Sequence, residues 1–220
     1  MQPILLFTAC SAGKDDSYAI SAGARVVTSD EYLDDPLLRE ELRRTREEVL
    51  SDPRARRGQR TTLALDLYVH TGRAYGDLRR RSDLLAAART RLQEGTLQWF
   101  FLSGGYGVLH ALEPATSYQA TFNRGIANAN GIPYTTRQWS VCLPAICARI
   151  AARCGLPTYA MGSHDYTKML ASVPGVKIIE STGSRGPTQL SPILVDLLEA
   201  AFTDRLAAFD ARFPRPFTKF

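Results

Sequence analysis

The chain lacks the spacings that mark the commonest metal and nucleotide centres. Its three histidines, His70, His110 and His164, fall in no HExxH or similar ligand pattern, and Cys10, Cys142, Cys147 and Cys154 form no CxxC pair. A metal, a zinc module and a disulfide framework are therefore not expected, and no cofactor is implied. No GxxxxGK[ST] stretch is present, which disfavours nucleoside triphosphate hydrolysis, and no GxSxG elbow suggests an α/β-hydrolase triad. No apolar run approaches the length of a membrane span, and the first strand pattern begins within three residues, leaving no room for a signal peptide. The last three cysteines lie in or beside an apolar helical pattern, where a free thiol behaves as a small hydrophobe. A cytoplasmic protein without a membrane partner is expected.

Acidic charge is also in short supply. The 220 residues carry 27 Lys and Arg against 22 Asp and Glu, a net charge of +5 and a pI near 9.2. The excess is local, because residues 39–91 hold fourteen arginines and eight carboxylates. Within it, residues 52–60 read as a flexible basic arm broken by Pro53 and Gly58. Arg54, Arg56, Arg57 and Arg60 there, together with Arg185, are the residues expected to meet the phosphates of a polyanion.

What the chain has in quantity is apolar sequence, 45% of all residues. Residues 4–9 and 97–102 are unbroken apolar runs, as expected of strands buried on both faces. Residues 158–161 and 176–180 read as further strands, and helical spacing covers 36–51, 72–92, 139–154, 165–172 and 191–209. Ser163 is placed to cap the fourth of these helices, residues 25–27 read as loop or edge strand, and 123–136 as an excursion. Strands alternating with helices predict one α/β domain over 1–220, with a mainly parallel sheet, helices on both faces and an arginine-rich helical insertion over 36–92.

All four strands empty into short polar loops, 10–14, 103–106, 162–165 and 181–185, which would share the carboxyl edge of the sheet. In the first, Cys10 and Ser11 precede Lys14, whose ammonium, with backbone N–H groups, could hold a phosphate or sugar oxygen, or else decorate an ordinary turn. Nothing nearby in sequence lowers the lysine's pKa, so a Schiff-base role is not favoured. In the second, Ser103, Gly104, Gly105, Tyr106 and Gly107 suggest a pocket floor with the Tyr106 ring as a stacking surface, or a plain structural turn. The acid–base candidates are Asp66, Glu113, Asp165 and His164. Their plainer roles are helix cap, loop charge, first-turn helix charge and solvated cap neighbour.

The Cys10-Ser11-x-x-Lys14 turn, the Leu67-Tyr68 segment with Gly72, and the run Ser103-Gly104-Gly105-Tyr106-Gly107-Val108-Leu109 followed by Tyr118 together resemble the YaaA-related group of small bacterial α/β proteins. The likeness covers mainly residues 4–14, 64–72 and 99–119. Gly104 stands where that group usually has alanine, which would open space, and Gln119 where it has aspartate, so no role for that aspartate carries over. The resemblance implies DNA-directed activity, with Cys10, Ser11, Lys14, Tyr68, Ser103, Tyr106 and Tyr118 around the substrate. The chain is also similar in kind to an anti-phage DNA glycosylase that excises glucosylated hydroxymethylcytosine. Three functions stay open: a DNA glycosylase acting on a modified base, a hydrolase or transferase for free nucleosides or nucleotides, and a non-catalytic nucleic-acid binding protein.

Overall fold

A computed structural model describes residues 2–122, 136–181, 186–213 and 217–219. In chain order the strands are β1 (Ile4–Ala9), β2 (Thr61–Leu63), β3 (Leu97–Ser103), β4 (Gly107–His110), β5 (Pro114–Thr116), β6 (Thr158–Ser163), β7 (Lys177–Ser181) and β8 (Phe217–Lys219). The helices are α1 (Pro36–Ser51), α2 (Ala64–Val69), α3 (Gly76–Arg80), α4 (Ser82–Glu94), α5 (Trp139–Cys154), α6 (His164–Thr167), α7 (Gly186–Phe202) and α8 (Leu206–Arg212). Among the described residues the main sheet has the order β4-β3-β1-β6-β7-β8, and all its pairings are parallel except β3 with β4. The fold class is α/β, and the expected strands and parallel edge are present.

The two apolar runs form the centre. β1 and β3 lie side by side with Leu6 opposite Trp99 and Phe7 opposite Phe100, all four fully buried. Thr8 is a polar residue in this core, and it accepts hydrogen bonds from Trp99 Nε1 at 2.8 Å and Tyr75 Oη at 3.0 Å, so no polar atom of the trio is left dry. The Asp35 carboxylate accepts from the Leu37 N–H and Pro36 stands at the first helical position, which fixes the start of α1. Gly95 closes α4 in the left-handed conformation at φ +78°.

Local chemistry alone misjudged three elements. The helix expected over 72–92 is a short 3-10 turn over Arg73–Tyr75, then α3, then α4, broken at Arg81. The helix expected over 191–209 starts earlier, tolerates Pro192 and is split between α7 and α8. Ser163 precedes α6 but makes no side-chain capping bond. The small β2–β5 pair was not anticipated, since three-residue strands leave almost no periodic signal. Most of the 123–136 excursion and Arg185 lie outside the described residues. No described helix is long and apolar enough to cross a membrane.

The insertion is woven into the layers. Its α1 packs on α5, its α3 and α4 pack on α7, and α4 leads directly into β3. From β1 the chain passes to β3 on one side, and from β3, through β4, it returns across β1 to β6 on the other. Because β1 connects to β3 on one side and β6 connects to β7 on the other, the strand order reverses between β1 and β6, and the carboxyl ends of these two strands are the place where open α/β sheets bind ligands.

Candidate functional site

Loop 10–14 leaves β1 at this reversal and is pinned on both sides. The Cys10 N–H donates to the Leu102 carbonyl at 2.8 Å and the Asp15 N–H to the Leu67 carbonyl at 3.0 Å. Gly72 allows the close approach of Ser11, because a β-carbon on the glycine would lie 3.0 Å from Ser11 Cβ. The loop thus lies against the end of α2, which brings Tyr68 under it.

Tyr68, Ser103 and Tyr118 form a buried hydroxyl triangle. Ser103 Oγ lies 2.6 Å from Tyr118 Oη and 3.3 Å from Tyr68 Oη, and the two phenols are 2.9 Å apart. The Tyr106 N–H donates to Ser103 Oγ at 3.0 Å, which holds the serine in place. Lys14 Nζ sits 4.1 Å from the centroid of the Tyr118 ring, a cation–π distance. Cys10 Sγ is 3.7 Å from Tyr166 Oη, and that phenol is 3.3 Å from Thr121 Oγ1. Of the residues expected around the substrate, Cys10, Ser11, Lys14, Tyr68, Ser103 and Tyr118 are brought together. Tyr166 and Thr121 join them without having been anticipated.

Burial pushes Tyr68, Tyr118 and Tyr166 well above the ordinary phenol range, and the Cys10 sulfur adds to the effect. These hydroxyls stay protonated, so each can both donate and accept. Burial also lowers Lys14, with the Cys10 sulfur opposing it. That depression is invisible in the sequence around Lys14, because the packing that buries the amine includes Tyr118, 104 positions away. A lysine among neutral phenols can bind an oxyanion or act as a neutral amine.

The glycines and Tyr106 have other parts. A β-carbon on Gly104 would stand 2.5 Å from the Ala120 carbonyl oxygen, and one on Gly105 would stand 2.6 Å from the Tyr118 ring. Their missing side chains make room for the chain's own 118–121 segment, so they do not leave an open pocket floor. Tyr106 is buried, its ring packed edge-on against Tyr118 and its hydroxyl 3.0 Å from Thr116 Oγ1. It offers no free face for stacking.

The acid–base candidates divide. Asp66 is buried and paired with Arg89 of α4 and with His70 Nε2 at 3.2 Å. Two positions apart on one helix, Asp66 and Tyr68 point in different directions, and only Tyr68 reaches the triangle. Glu113 is buried and saturated, accepting from Arg46 at 2.6 Å, Ser29 Oγ at 2.6 Å, the Ser29 N–H at 2.9 Å and the His110 N–H at 3.1 Å. Neither carboxylate belongs to the hydroxyl cluster. Asp165 is bonded to Lys168 at 3.3 Å near the surface. His164 keeps an exposed side chain and holds Nδ1 3.1 Å from Glu180 Oε1, a carboxylate that is 1% exposed and also accepts from Thr167. Glu180 was missed because it ends an apolar run. Its partner His164 begins α6, the helix whose Tyr166 reaches Cys10.

His110 is structural. Its Nδ1 accepts from the Leu112 N–H at 3.1 Å and Nε2 lies 3.3 Å from Gln98 Oε1, while burial and then Arg25 push its pKa down to about 3. The unfolded chain takes up a proton near pH 6.5 that the folded chain refuses. Stability from this group is therefore complete above that pH and is lost as pH falls toward 3. Urea midpoints between pH 7 and 4 are expected to show an acid limb steeper in the wild type than in His110→Gln by up to about 1.4 kcal/mol per pH unit, one proton's worth. Equal slopes would place the protonation elsewhere. Among the described residues no cluster of three or more His, Cys, Asp or Glu could hold a metal.

The basic arm is tied down at the rim. Ala55 is buried in a 3-10 turn over Pro53–Ala55, the Gly58 N–H donates to the Ser117 carbonyl at 2.7 Å, and the Gln119 N–H donates to the Ala55 carbonyl at 2.5 Å. Arg57 Nε donates to Thr116 Oγ1 at 3.1 Å. The arm is thus strapped to the segment that carries Tyr118, where a free linker was expected. Arg54 pairs with Asp52, whereas Arg56, Arg57 and Arg60 are exposed with no carboxylate partner among the described residues. Arg73, exposed and next to the Gly72 that faces Ser11, adds a rim cation that the sequence reading passed over. Many other arginines of the segment serve the fold, as Arg46 does for Glu113 and Arg89 for Asp66. No family model matches the chain, and no curated protein matches it.

Proposed function

We propose that the chain is a DNA glycosylase that hydrolyses the N-glycosidic bond of a modified base, with glucosylated hydroxymethylcytosine the modification suggested by the likeness to an anti-phage DNA glycosylase. The observation that carries this reading is the attachment of the arginine arm to segment 116–119, which places unpaired cations beside the Tyr68–Ser103–Tyr118 cluster. A free-nucleoside enzyme has no need of that rim. An extruded nucleotide needs both a phosphate rim and a polar cleft.

In this reading the rim arginines hold the backbone and the neutral hydroxyls take the sugar and the exocyclic groups of the base. His164, steered by the buried Glu180, is the group that accepts the proton of the attacking water. A buried carboxylate that fixes the imidazole through Nδ1 leaves Nε2 to work outward.

The deciding measurement is mass spectrometry of bases released from genomic DNAs that differ in modification, alongside the matching free nucleosides. Release from DNA alone supports the proposal, release from nucleosides alone supports the small-molecule enzyme, and binding without release supports the non-catalytic protein. Arg56→Glu with Arg60→Glu is expected to weaken binding to all duplexes alike. The slope of log K against log salt should flatten by about 0.9 per lost phosphate contact. An unchanged slope would move the DNA to another face.

A further inference from the structure

Resting on the glycosylase reading, we infer that Lys14 forms an imine with the ring-opened sugar of the abasic site, giving the chain a strand-cleaving β-lyase activity after base release. Lys14 ends the loop that leaves β1 at the reversal of strand order, with its Nζ over the Tyr118 face. No carboxylate among the described residues pairs with it, whereas Lys168 and Lys177 are bound to Asp165 and Asp210 at 3.3 Å and 2.6 Å. A lysine that only gripped phosphate would gain from a setting that favours its charge. This one sits where burial favours the neutral amine, the form that carries the nucleophilic lone pair. The aromatic face then serves the next species, because the cationic iminium leaves its charge over the same ring.

The steps balance without an oxidant or reductant. The Nζ lone pair adds to the C1′ aldehyde, and the carbinolamine loses water to give a protonated imine. The C2′ proton passes to solvent, its electron pair moves into the sugar chain, and the C3′–O3′ bond breaks with its pair leaving on the phosphate. Water then cleaves the imine, restoring the amine and releasing an α,β-unsaturated aldehyde end.

The test uses the full chain and a duplex with one abasic site prepared in advance by uracil excision, with and without sodium borohydride. Expected are a borohydride-trapped protein–DNA adduct at pH 7, its mapping to Lys14 by peptide mass spectrometry, and a nicked strand without borohydride. Lys14→Met and Lys14→Arg are expected to lower adduct yield at least about 100-fold while still binding the duplex. No adduct from the wild type, or an adduct on Lys168, Lys177 or the N-terminal amine, overturns the inference even if the Lys14 variants do not fold. The base-release assay separates the two readings. Released base without adduct leaves the glycosylase and removes the lyase, whereas an adduct without released base supports the Lys14 chemistry and removes the glycosylase.

Discussion

Glu113→Ala is expected to lower stability by about 3–5 kcal/mol, enough to consume a large share of the roughly 5–15 kcal/mol that holds a domain together. The carboxylate neutralises Arg46 of α1 and accepts from the Ser29 N–H and the His110 N–H. Arg46 in turn donates to the Tyr106 carbonyl at 2.9 Å and to the Val108 carbonyl. Truncation would leave the Arg46 charge uncompensated and the Ser29 N–H without its buried acceptor, whereas the His110 N–H would keep Ser29 Oγ at 2.8 Å and Arg46 its two carbonyls. Urea denaturation of Glu113→Ala, compared with the paired Arg46→Met/Glu113→Leu replacement, measures this. The double variant should recover part of the loss because it removes both charges. A Glu113→Ala protein of native stability that released no base would instead make Glu113 a catalytic carboxylate.

This carboxylate shows where sequence reading stops. Glu113 sits soon after a glycine-rich strand end, so its position along the chain suggests the site. Its partners Ser29 and Arg46 lie 84 and 67 residues away, and only the packed fold discloses that they consume it. Asp66 fails in the same way through Arg89. By contrast, the apolar runs of β1 and β3 were legible because a strand buried on both faces has no polar alternation to confuse. The Pro36–Ser51 helix was legible from its proline and spacing. The convergence of Cys10, Lys14, Tyr68, Ser103 and Tyr118 followed from the rule that parallel strands deliver their loops to one edge, together with the resemblance that singled out the two tyrosines. Tyr166 could not be read because it reaches Cys10 from a four-residue helix 156 positions on.

The glycine pair carries the last expected result. Gly105→Val should abolish the Tyr68–Ser103–Tyr118 triangle and slow base release by roughly 100-fold or more, the usual result of moving a positioning group by about an ångström. The new β-carbon would lie 2.6–2.8 Å from three atoms of the Tyr118 ring, on the ring's body and not at the end of a flexible chain. That ring cannot yield without breaking the 2.6 Å bond to Ser103 and withdrawing the face on which Lys14 rests. Overpacking of this kind costs about 1–3 kcal/mol, so the protein should remain folded and open to assay. Gly105→Ala should show the same loss to a smaller degree, whereas Tyr118→Phe keeps the ring and removes only its hydroxyl. If Gly105→Val and Tyr118→Phe share one deficit, the hydroxyl matters. If only Gly105→Val is impaired, the ring as a seat for Lys14 is what the glycine protects. Wild-type turnover in Gly105→Val, with adduct formation at Lys14 intact, would show that the 118–121 segment can retreat and that neither ring nor hydroxyl holds the reacting sugar.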